Sequence, residues 1–131
     1  MRRSLVLVSL ALMACSENGG GDATADPASN GAEVKPGAAE IRFAQDATPA
    51  DAALSAKYDR SCRSCHALPD SGAPLSGHKA AWDNRLSAKT MDGLVASTRT
   101  GLEAMPPMGL CNDCSDADFV ALINFMAGGE I

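Results

Sequence analysis

The sequence predicts a small all-α domain of about four helices over residues 49–131, on three grounds. Phe119, Leu122, Ile123 and Met126 recur at i, i+3, i+4 and i+7, one face of a helix. Gly, Pro and Asp clusters cut the rest of the domain into segments of helical length. No run alternates polar and apolar residues convincingly enough to make a strand.

The first helix is expected over about 51–65, because Pro49 can open it and Ala52, Ala53, Leu54, Ala56 and Lys57 all favour helix. Pro69 and the run Asp70-Ser71-Gly72 then turn the chain into a loop. A second helix fits 79–88, with Trp82, Arg85 and Leu86 on one side. A third fits 91–101 behind Thr90 as N-cap, presenting Met91, Leu94, Val95 and Thr98. Ser115 caps the last helix, Asp118 completes a capping-box-like start, and Gly128-Gly129 ends it. Met91 and Met126, at helical spacing among apolar neighbours, read as core.

The chemistry concentrates in Cys62-Arg63-Ser64-Cys65-His66, a C-x-x-C-H run of the kind that attaches a c-type haem. On one helical turn, thiols at i and i+3 share a face, so both can form thioethers to one porphyrin while His66 ligates the iron. The segment 49–131 is small for a purely hydrophobic core, and a covalently held porphyrin supplies the missing apolar surface. The opposite face of the iron is either open, which gives ligand binding or peroxidase-like chemistry, or closed by a second side chain, which gives electron transfer. Met105-Pro106-Pro107-Met108-Gly109 offers a thioether on a loop stiffened by two prolines. Met105 is the preferred ligand, with Met108 and His78 as alternatives.

The N-terminus reads as an export signal over residues 1–14: Arg2 and Arg3 are the positive region, followed by a short apolar stretch. Leu12-Met13-Ala14-Cys15 resembles the lipobox of bacterial lipoproteins, which implies lipidation at Cys15; ordinary cleavage near Ser9-Leu10-Ala11 is the alternative. Acyl chains at Cys15 would anchor the protein to a membrane surface facing the periplasm, and Ser16 resembles the outer-membrane sorting pattern. Residues 15–48, rich in Gly, Ala, Asn, Ser and acidic side chains, read as a flexible tether without a core. Five cysteines then divide into Cys15, the pair Cys62 and Cys65, and the pair Cys111 and Cys114. In an oxidising compartment the last pair reads as a small-loop disulfide, against the alternative of a redox dithiol.

The net charge of −5 and the lack of a basic face exclude nucleic-acid binding. A zinc module built on the two C-x-x-C pairs is the rival from another class, but the gap from Cys65 to Cys111 far exceeds the usual ribbon loop of about 15 to 20 residues.

Residues 50–131 resemble the small class I cytochromes c, specifically the cytochrome c5 type. The resemblance rests on Cys62-Arg63-Ser64-Cys65-His66, on Ala104-Met105-Pro106-Pro107, and on Cys111-Asn112-Asp113-Cys114-Ser115-Asp116 leading into the last helix. It implies Met105 as sixth ligand, a Cys111–Cys114 disulfide, and one covalent haem enclosed by the helices. Trp82 with Arg85 resembles the Trp-and-Arg region of that family, which implies contact with a haem propionate. Many relatives carry Lys where this chain has Met108, and the lipobox and tether lie outside the shared domain. The implied activity is one-electron transfer among the redox proteins of a respiratory chain, with no substrate chemically transformed. The competing expectation is a haem enzyme or a gas or peroxide sensor with a vacant sixth site.

Overall fold

A computed structural model describes residues 34–129. Among them the regular elements are helical, and the only β pairing is an isolated bridge between Leu102 and Met105. The expected export signal, Cys15 and most of the expected tether lie outside the described residues. No described helix is long and apolar enough to cross a membrane.

The helices are α1 (Ala38–Asp46), α2 (Ala52–Lys57), α3 (Arg63–His66), α4 (Lys79–Thr100) and α5 (Asp116–Met126). Between α2 and α3 the chain runs through a π-helix, Tyr58–Cys62, so the helical path continues up to His66. Widened turns of this kind recur at functional sites, and this one carries the first motif cysteine. Asp51, rather than Pro49, caps α2, its carboxylate accepting from Leu54 N at 2.8 Å. The segment 79–100 is helical on both sides of Thr90, whose φ of 60° and ψ of 169° are not helical, so the two helices expected there abut at that residue. Gly93 N donates to Thr90 Oγ1 at 3.5 Å, the local signature of a helix starting afresh. In α5, Ser115 and Asp118 form the reciprocal capping box.

The expectation of a coreless tether fails over 38–46, because α1 is an ordered helix docked on the domain. Ala44 is wholly buried, and the Phe43 ring lies 5.6 Å from that of Phe125 on α5. Gly77 makes room for it: a Cβ there would stand 2.4 Å from Phe43 Cδ1. The Arg63 guanidinium closes the junction by donating to the carbonyls of Gln45 and Ala47. A low average of apolar residues concealed one short apolar face whose partners are all distant in sequence.

The core joins Leu54 and Tyr58 to Leu94 and Val95 of α4 and to the apolar face of α5. Phe119, Leu122, Ile123 and Met126 are all buried, and Met91 packs against the cluster, as their spacing predicts. Tyr58 stands edge-on to Phe125 at 5.0 Å and its hydroxyl pairs with Ser76 Oγ at 2.9 Å. That bond satisfies two buried hydroxyls which would otherwise cost about 1–3 kcal/mol each.

Candidate functional site

Cys62 ends the π-helix and is buried, while Cys65 lies on α3 and is exposed; neither is disulfide-bonded. Burial, with a smaller contribution from Cys65, pushes the Cys62 thiol up to about 11. His66 closes α3 and is only 5% exposed. Its Nδ1 lies 2.8 Å from the carbonyl oxygen of Pro74, which can only accept, so Nδ1 carries the proton. The neutral ring therefore keeps its lone pair on Nε2. Burial lowers the imidazole pKa, the Pro74 hydrogen bond opposes that, and the Arg85 charge lowers it further. A neutral ring with a defined tautomer is what a metal requires of a histidine.

The loop after α3 grips His66 twice, since Ser76 N also donates to the His66 carbonyl at 2.8 Å. Trp82 of α4 lies with its ring 5.8 Å from the imidazole and tilted by 32°. Its Nε1–H donates to Leu75 O at 2.9 Å. That bond uses the only donor of the indole, so the expected polar contact from Trp82 to a propionate is not supported. Arg85, one turn on, is partly buried, donates to Ala81 O at 2.9 Å and acts electrostatically on His66.

Met105 sits in a tight turn: Met105 N donates to Leu102 O at 2.9 Å and Leu102 N returns to Met105 O at 3.1 Å. Two glycines shape its surroundings. A Cβ on Gly101 (φ +83°) would fall 2.8 Å from Met105 O, and one on Gly109 (φ +53°) would fall 3.1 Å from Met105 Cε. Met108, by contrast, has φ 59° and packs against the hydrophobic cluster. The short 3-10 turn Pro107–Leu110 packs on the π-helix that carries Cys62, so the Met loop and the attachment motif are neighbours. His78, the outside alternative, is buried as the N-cap of α4, and its Nε2 has no hydrogen-bond partner among the described residues. It lines a cavity of about 330 Å³ with Pro74, Leu75 and Lys35.

Cys111 and Cys114 are joined in a disulfide with Cα atoms 5.4 Å apart. Arg60 of the π-helix approaches this loop, donating to the Asp113 carboxylate and lying 3.5 Å from Cys111 Sγ. With both sulfurs bonded to each other, the zinc module loses half of its thiolates.

The donor set fits a covalently attached porphyrin: two unpaired thiols three residues apart, and an oriented imidazole with its lone pair free. Sequence reasoning identified these residues but missed Pro74, Leu75 and Ser76, whose contacts to His66 and Trp82 run through the backbone.

Residues 49–126 match the family model described as cytochrome c oxidase, cbb3-type, subunit III. The chain is 47% identical over 74 residues to cytochrome c5 of Azotobacter vinelandii, an alignment covering 56% of this chain and 86% of that protein. It is 41% identical over 68 residues to cytochrome c5 of Ectopseudomonas mendocina, covering 51% and 78%. It is 38% identical over 90 residues to cytochrome c-555 of Chlorobaculum tepidum, covering 66% and 79%. Helix α1 precedes the segment matched by the family model.

Proposed function

The chain belongs to the class I c-type cytochromes, electron carriers with covalently bound haem c, and on that premise we propose a periplasmic carrier whose iron would be held by His66 and Met105. The observation that carries the reading is the His66 tautomer: Nδ1–H held by Pro74 O leaves Nε2 bare, on the imidazole that follows two unpaired thiols in the motif.

When bound, haem c supplies a one-electron couple between ferric and ferrous iron. The residues of the chain do the rest. Cys62 and Cys65 would tether the group, and the Pro74 carbonyl raises the basicity of His66 and fixes its ring. Met105 would bring a soft sulfur, which favours the reduced metal and raises the potential relative to a second nitrogen ligand. Met105 is preferred over Met108 because the turn and Gly109 leave space around its side chain, whereas Met108 is engaged in the core. Part-buried Arg85 is the cation suited to a propionate.

Acylation at Cys15 would hold the protein on the periplasmic face of a membrane, raising its local concentration near respiratory redox partners. The lipobox-like run supports that placement.

A pyridine haemochrome spectrum of protein produced with the haem-attachment machinery tests the cofactor: one haem c per chain is expected, and iron-free material refutes it. Met105→Ala should abolish the long-wavelength methionine–iron band of the ferric protein and open the iron to added ligands, while Met108→Ala should leave the band in place. The reverse pattern would assign Met108, and absence of the band from the parent protein would favour a sensor or enzyme with a vacant site.

A further inference from the structure

We propose that Trp82 is a positioning residue for His66, acting through the peptide between Leu75 and Ser76. The inference rests on the reading of His66 as an iron ligand and goes beyond it by naming what holds the imidazole in its working state.

That peptide unit is held along both edges. Its carbonyl, Leu75 O, receives Trp82 Nε1–H at 2.9 Å and His78 N–H at 3.1 Å. Its amide, Ser76 N–H, donates to His66 O at 2.8 Å. The preceding peptide presents Pro74 O to His66 Nδ1 at 2.8 Å. Fixing the plane of one peptide limits the rotation of the next, so the indole N–H sets how well the Pro74 carbonyl faces the imidazole. The indole ring also stands beside the imidazole, 5.8 Å between centroids, and restricts ring rotation from that side. Trp82 is 4% exposed, so water does not compete for its N–H. Of the two donors to Leu75 O, only Trp82 is a side chain, and it reaches the loop from the body of α4.

The consequence is electronic as well as geometric. A firm Nδ1–H···O=C bond makes the imidazole a stronger donor through Nε2, which favours the ferric state and lowers the potential. Loosening the Pro74 loop weakens that bond and raises the potential. A Trp82 that merely filled space would leave the potential insensitive to its N–H.

Trp82→Phe separates the two roles, because it keeps an aromatic ring and removes the donor. In the haem-loaded protein we expect the His66 Nδ1 proton to exchange with solvent about fivefold faster, the effect of losing one neutral hydrogen bond on a local opening equilibrium. The reduction potential should rise, with the thioether-linked haem content unchanged. Unaltered exchange and potential in a haem-loaded Trp82→Phe protein would overturn the proposal and leave Trp82 as core packing. If this variant fails to mature, the unsubstituted protein decides: the Trp82 Nε1 and His66 Nδ1 protons should exchange at one shared rate. Exchange of the His66 proton while that of Trp82 stays protected would overturn the proposal equally. Absence of haem from the unsubstituted protein is a separate result, which refutes the cytochrome reading itself.

Discussion

Phe43→Ala tests whether α1 is an integral part of the domain. The Phe43 ring meets Phe125 at 5.6 Å between centroids and occupies the space that Gly77 leaves. Truncating a fully buried Phe to Ala costs about 3–5 kcal/mol, and Phe43 is only partly buried, so a loss of about 2 kcal/mol is expected. For a domain of this size that lowers the melting temperature by about 10 °C. Guanidinium unfolding of the haem-loaded protein, followed by far-ultraviolet circular dichroism and haem absorbance together, measures it. The midpoint should fall without a change in slope, since α1 would still unfold with the rest. Arg42→Ala, on the exposed side of α1, should stay within about 0.5 kcal/mol of the parent. Gly77→Ala should itself destabilise, because its Cβ would meet Phe43 Cδ1 at 2.4 Å at φ +79°. Combining it with Phe43→Ala should relieve the clash and make the two losses less than additive. A loss below about 0.5 kcal/mol for Phe43→Ala, or a separate early transition for α1, would refute the docking.

Two other predictions concern the start of α5 and the Met105 loop. Asp118 is held down to about 2, first by the Lys57 ammonium at 2.7 Å and then by the Ser115 amide and hydroxyl. An unfolded Asp titrates near 3.9, so this stabilisation is present above about pH 4 and lost as pH falls towards 2. Asp118→Asn should flatten that acid limb in a pH-unfolding series, by no more than about 1 kcal/mol because the pair is partly exposed. Gly109→Ala places a Cβ 3.1 Å from Met105 Cε at φ +53°, so it should weaken or abolish the ferric methionine–iron band while haem content is retained. An unchanged band would show that Met105 does not depend on that gap.

Legibility in the sequence followed the kind of interaction. The attachment motif was readable because covalent chemistry fixes residue types at fixed spacing, and α5 because one buried face and a side-chain capping box leave a periodic trace. The break at Thr90 was anticipated from its capping chemistry, although the helix resumes directly beyond it. Helix α1 was missed because Gly77 and Phe125, which receive Phe43, lie 34 and 82 residues away and announce nothing locally. The acceptor of the Trp82 indole N–H, the Leu75 carbonyl, is not legible in the sequence, because a backbone carbonyl leaves no mark there.

The same few residues explain how a small chain holds an imidazole still. The loop 74–77 meets His66 through Pro74 O and Ser76 N, and Tyr58 through Ser76 Oγ. It meets the end of α5 through Gly77 N donating to Met126 O at 2.7 Å, α1 through Phe43 on Gly77, and α4 through Trp82. Arg63, between the motif cysteines, ties α1 to the attachment helix and pairs with Asp59 at 3.1 Å. An imidazole oriented by contacts from so many elements cannot rotate unless several of them move together. A group held in its working geometry beforehand needs little rearrangement when charge changes beside it, which is what one-electron exchange demands of its protein. The π-helix, the Pro74 loop and the docked α1 thus converge on the segment that holds His66, and weakening the Pro74 loop should loosen the imidazole.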